Sequence, residues 1–189
     1  SRVWSPEVAL TGHTDTPCAY IRQFTMQVCV TAQGRLSLKY AIEGDLTRVV
    51  LPDPCVPGRR DGLWQHTCCE AFLAKAGQPG YYEFNFSPSM EWAIYRFETY
   101  RTGMEAVEPD EPPVIRLCTY PQRLVLQATV RLSEGSTAPA GANWRLAVAA
   151  VIETAEGRRS YWALRHSPGP PDFHHPDGFV LAGCRLTGG

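Results

Sequence analysis

The chain has 189 residues, enough for a hydrophobic core, and no linker-like stretch divides it, so a single domain spanning 1–189 is expected. A formal net charge of −1 with 20% charged residues leaves no basic patch for nucleic acid and no basic run for an anionic membrane surface. No apolar run approaches the roughly 20 residues of a membrane helix. The opening residues lack the charged start and apolar segment of a signal peptide, and seven cysteines without a C-x-x-C pair read as reduced thiols of a cytoplasmic protein.

Period-two alternation recurs along the chain. From Tyr20 to Val30 the residues Tyr20, Phe24, Met26, Val28 and Val30 are apolar, with Gln23, Thr25 and Gln27 between them and Arg22 as the one exception on that face. After Ala32-Gln33-Gly34 the pattern resumes with Leu36, Leu38, Tyr40 and Ile42, so the two runs predict a hairpin. Strands are expected next over Cys69 to Ala74 and Tyr81 to Phe86, joined by the loop Gly77-Gln78-Pro79-Gly80, and then over Trp92 to Thr99. Arg123 to Leu132, Trp144 to Ile152, Ser160 to Leu164 and a last run near Phe179 to Leu186 complete the series. Many short alternating strands, Gly/Pro turns and no sustained 3.6-residue stripe predict an all-β antiparallel sandwich.

The segment from Asp61 to Met104 is dense in side chains that are apolar on one side and polar on the other. Trp64, Trp92, Tyr95, Tyr100 and Trp162 offer rings that stack on the apolar face of a sugar, while His66, Glu70, Asn85, Arg96 and Arg101 offer hydrogen-bond partners for its hydroxyls. About half of these aromatics are expected to be core, because one face of every sandwich strand is buried. A carboxylate at Glu70, inside an apolar strand, must be paired, metal-bound or ligand-facing; an ion pair with Arg96 or Arg101 is the plainest arrangement. The run from His166 to His175, HSPGPPDFHH, reads as a loop that folds over the ligand face and contributes Asp172 and His174. No G-x-S-x-G elbow, P-loop, dinucleotide fingerprint or H-E-x-x-H is present. An enzyme would have to use Glu70, with Glu83 as the partner in a glycosidase-like pair.

Three spaced patterns, W-x-H-T-x-x-E-A-F from Trp64, Y-Y-E-F-N-x-S-P from Tyr81 and W-x-x-Y-R-F-x-x-Y-R from Trp92, resemble the DOMON-like branch of the family 9 carbohydrate-binding-module superfamily. A later block, Y-W-A-L-x-H-x-P-G-x-P-D-F-H-H from Tyr161, fits the same group, and the blocks together cover about a third of the chain. The resemblance implies a β-sandwich that binds a small molecule, a carbohydrate first, without catalysis and without a cofactor. In sugar-binding members a saccharide lies between two tryptophans and calcium is structural; here the usual acidic residue three before the glutamate is replaced by Thr67. Other DOMON proteins hold haem b non-covalently, which makes Met90 and His174 the candidate axial ligands of an alternative reading as a redox or sensor domain.

Overall fold

The computed structural model describes residues 3–31, 33–132 and 143–182. Its first seven strands are β1 (Val8–Ala9), β2 (Thr11–Gly12), β3 (Ile21–Val30), β4 (Arg35–Gly44), β5 (Val49–Val50), β6 (Cys68–Lys75) and β7 (Tyr81–Phe86). Seven more follow: β8 (Trp92–Phe97), β9 (Glu105–Ala106), β10 (Val114–Tyr120), β11 (Arg123–Arg131), β12 (Trp144–Thr154), β13 (Arg159–Ala163) and β14 (Leu181–Ala182). The expected last strand is thus two residues long here, and the rest of that expected run, 183–186, lies outside the described residues.

One sheet has the order β1-β3-β4-β11-β10, and the other runs β2-β13-β12-β6-β7-β8-β9, with β5 and β14 also pairing with β12. Neighbouring strands in both are antiparallel. The expected all-β sandwich is what forms. Between the sheets Phe24, Met26, Leu38, Tyr40 and Leu126 from the first meet Phe84, Phe86, Leu146, Val148 and Trp162 from the second, all buried. Burial of each large apolar side chain contributes roughly 1.5–3 kcal/mol, which makes this interlayer the main source of stability.

Arg22 is explained by a bulge. The register between β3 and β4 shifts between Ile21 and Gln23, so Arg22 and Gln23 both turn outward while Ile21 and Phe24 are buried. Tyr20 lies outside the strand and bonds Glu156 instead. The edge strand β10 escapes the sequence pattern because only Ile115 and Leu117 pack inward, whereas Val114 and Tyr120 are exposed. The six cysteines among the described residues are unpaired, and Cys184 lies outside them.

The second sheet is buried on both faces over much of its area. Its outer face carries a smaller apolar cluster of Leu63, Cys68, Phe72, Tyr81, Ala93, Tyr95, Phe97, Ala147 and Phe179, partly roofed by the loop after β13. This second face positions the site.

Candidate functional site

Alternation decides which residues reach the outer face. On β6 the inward set is Cys69, Ala71 and Leu73, so Cys68, Glu70 and Phe72 point outward; on β7 Phe84 and Phe86 pack inward, so Tyr81, Glu83 and Asn85 point outward. Cross-strand pairing then sets Ala149, Glu70, Asn85 and Ala93 in one row and Ala147, Phe72, Glu83 and Tyr95 in the next. Three alanines beside two carboxyl groups leave a hollow. The resulting cavity of about 370 Å³ has Glu70, Glu83 and Phe72 at its floor, Phe97, Tyr161 and Phe173 at its walls, and Trp64, Arg101 and His174 around its mouth.

Glu70 and Glu83 are 2% and 6% exposed, so neither carboxyl sits in bulk water. The two are hydrogen-bonding neighbours, diagonal across β6 and β7. Burial first, and the nearby Glu83 second, hold the Glu70 carboxyl well above the usual carboxylate range. Burial also pushes Glu83 up to about 7, against the opposing effect of the hydrogen bond from Glu70. Glu70 therefore keeps its proton and donates it to Glu83, while Glu83 itself titrates near neutrality. With its amide turned so that nitrogen faces the acid, Asn85 donates to Glu70 Oε1 at 2.9 Å. Glu70 Oε2 is buried and accepts from no described donor. Behind the site, Tyr40 Oη from the opposite sheet donates to the Glu70 carbonyl at 2.7 Å and ties this strand to the core.

The roof is held by Asp172. Arg101 Nη2 donates to Asp172 Oδ1 at 2.8 Å, Tyr100 Oη donates to Oδ2, and the His174 N–H donates to Oδ1 at 3.1 Å. Despite its burial, these hydrogen bonds and the Arg101 charge keep the Asp172 carboxyl below its ordinary range. His174 packs between Phe72 and Phe97, with ring centroids 4.9 Å and 5.1 Å away, and burial lowers its pKa to about 4. It is neutral. Tyr81 Oη accepts the Arg101 N–H and shares a hydrogen bond of 2.8 Å with His174 Nδ1.

Trp64 stands 42% exposed at the rim, in the 3-10 turn Leu63–Gln65 that Leu63 anchors in the outer cluster. The structure therefore brings together Trp64, Glu70, Asn85, Arg101, Asp172 and His174, with Tyr100 beside them.

Other expected site residues lie elsewhere. Trp92 and Trp162 are on the inward parity of β8 and β13 and pack in the interlayer core, Trp162 against Phe24 at 5.8 Å with its indole N–H on Ser160 Oγ. Arg96 shares the parity of Trp92 and Ile94, so it leaves the outer face and pairs with Glu105 at 3.6 Å. Glu70 consequently has neither Arg96 nor Arg101 as an ion-pair partner. His66 bonds Glu153 at 2.6 Å, and His166 bonds the Thr11 carbonyl at 2.7 Å; neither lines the cavity. Thr67, where an acid was expected, braces three strands by donating to the Val50 carbonyl and accepting the Glu153 N–H.

The haem pair is not assembled. Met90 occupies the turn after β7, whereas His174 is held at the β7 start by Tyr81; the five steps between Tyr81 and Phe86 span about 17 Å. Met104 lines the cavity, and Met26 is core. The aromatic walls Phe72, Phe97, Tyr161 and Phe173 were not singled out from the sequence, although strand parity with Glu70 and Asn85 marks Phe72 and Glu83 as their neighbours.

No protein-family model and no curated protein matches the sequence. Among solved structures, a presumed carbohydrate-binding protein from Bacteroides uniformis is similar, with a TM-score of 0.67 and 15% identity over 92% of this chain and 84% of that one. A family 9 carbohydrate-binding module from Caldicellulosiruptor kristjanssonii in complex with glucose is similar at a TM-score of 0.48 and 13% identity, over 89% of this chain and 76% of that one. The cellotriose complex gives 0.44 and 13% identity, over 82% and 75%. Family 9 modules thus stand among the structures similar to this chain, while the sandwich itself rests on the strands described above and on the likeness to the Bacteroides uniformis protein.

Proposed function

We propose that this chain is a non-catalytic binding module that takes a saccharide or glycoside on the outer face of its second sheet. The observation that carries the reading is the buried carboxyl pair of Glu70 and Glu83, set in a cavity that Phe72, Phe97, Tyr161 and Phe173 also line. Buried carboxyl oxygens without a full set of hydrogen bonds cost about 1–3 kcal/mol, and a ligand hydroxyl reaching the floor offsets that cost. Trp64 at the rim supplies the stacking ring, while Arg101 and the His174 imidazole supply further polar contacts. The Bacteroides uniformis protein of similar fold, described for carbohydrate binding, lends general support.

A glycosidase reading is less favoured. Retaining and inverting enzymes separate their carboxyl groups by about 5–5.5 Å and about 6.5–9.5 Å, whereas Glu70 and Glu83 are in hydrogen-bonding contact, which leaves no room for a substrate oxygen and a water between them. Isothermal titration against a panel of mono- and oligosaccharides tests the proposal. Measurable affinity that falls in both Trp64→Ala and Glu70→Gln is the expected result; affinity indifferent to both changes, or none for any sugar, removes it.

A further inference from the structure

We infer that the Glu70 and Glu83 pair selects ligands carrying a primary ammonium group, which, resting on the saccharide reading above, means an amino sugar. The two acids stand on adjacent strands of one face, almost wholly buried, and share a cavity. Once Glu83 has lost its proton, the pair carries one negative charge. No described Lys or Arg forms a salt bridge with either acid: the cavity's arginine, Arg101, is tied to Asp172 at 2.8 Å. His174 is neutral, and the Asn85 amide, which bonds Glu70 Oε1 and Glu83, brings hydrogen bonds but no charge. The acid pair thus faces the cavity without a salt-bridge partner among the described residues.

A neutral hydroxyl answers half of this requirement. It donates one hydrogen bond and leaves the negative charge in a medium of low polarity. An ammonium donates up to three, enough for both acids together, and neutralises the pair without moving the Glu70 proton. The lining suits the same guest, because aromatic rings such as those of Phe72, Phe97, Tyr161, Phe173 and the rim residue Trp64 attract a cation. The sugar ring then lies toward Trp64, with its amine directed at the floor.

Calorimetric titration at pH 7 with glucose, glucosamine, N-acetylglucosamine and ethanolamine tests this on the full chain. Glucosamine is expected to bind about tenfold tighter than glucose or N-acetylglucosamine, as a charge-assisted hydrogen bond in place of a neutral one implies. In Glu83→Gln, which keeps the side-chain shape, the preference should shrink to about twofold or less. Equal affinities for glucose and glucosamine overturn the ammonium inference and leave the saccharide reading standing. Ethanolamine binding as tightly as glucosamine removes the saccharide reading and leaves the ammonium selection. Binding of none of the four overturns the inference. Should the Glu83→Gln protein not fold, the comparison of glucosamine with its acetylated form on the unaltered chain decides alone.

Discussion

Tyr81 and His174 are joined across the outer face of the second sheet: the Tyr81 hydroxyl lies 2.8 Å from His174 Nδ1 and accepts the Arg101 N–H at 3.0 Å. One hydroxyl thereby links the floor strand β7, the turn after β8 and the roofing loop. Tyr81→Phe keeps the ring stacked on Phe97 but leaves both partners unsatisfied in a partly buried setting. We expect a loss of about 1–3 kcal/mol, read from urea denaturation; an unchanged midpoint would show that the loop is held by packing alone.

The buried acids set a pH dependence of opposite sign to that of ordinary carboxylates. Glu83 is raised from 4.5 to about 7, and Glu70 is raised as well, so the folded chain binds more protons than the unfolded one above pH 4.5. Their contribution to stability is present below that value and is lost as pH rises through about 7. His174, lowered from 6.5 to about 4, opposes this: its contribution grows with pH until 6.5 and is then constant. Between pH 6.5 and 8 the acid pair acts without that opposition. Unfolding free energy should fall there by up to about 1.4 kcal/mol per pH unit for each proton that the folded chain holds and the unfolded chain does not. The slope should flatten in the double variant Glu70→Gln, Glu83→Gln, and an equally steep slope in that variant refutes the assignment.

The tryptophans divide by position. Trp64→Ala should leave the unfolding midpoint nearly unchanged, because the ring is 42% exposed, while weakening saccharide affinity about tenfold through loss of stacking. Trp162→Ala should instead cost about 3–5 kcal/mol of stability, since that ring fills the core against Phe24. Thermal unfolding and titration of both variants check the contrast; matching profiles would mean the two rings are not separated as described.

Asp172 gathers the roof rather than the floor. Asp172→Asn should cost less than about 1 kcal/mol of stability, because the Arg101 side chain it pairs with is half exposed. Saccharide dissociation should nevertheless quicken severalfold as the loop loosens. Stopped-flow dissociation rates measure this, and a rate equal to that of the unaltered chain would place the loop outside the binding site.

Much of the fold was legible in the chain. The hairpin β3–β4, the run β6–β7–β8 and strands β11 to β13 follow from alternation and turn residues, since a half-buried strand must show its two faces in its sequence. The short strands β1, β2, β5 and β9 and the edge strand β10 did not, because two-residue ladders and exposed edges place little constraint on side chains. The candidate site was legible in part. Glu70 stood out as a charge in an apolar strand, and Trp64, Asn85, Arg101, Asp172 and His174 were selected with it.

By itself the sequence determined that Glu70 shares a face with Phe72, and Glu83 with Asn85 and Tyr81, because alternation along a strand is a local property. Only the tertiary structure decided which face of the second sheet opens outward. That placed Trp92, Trp162 and Arg96 on the inward parity and set Glu70 beside Glu83 rather than an arginine. The reason is physical: parity is fixed by neighbours in the chain, but which parity is buried depends on where the opposite sheet packs, and that is a matter of contacts between residues far apart in sequence.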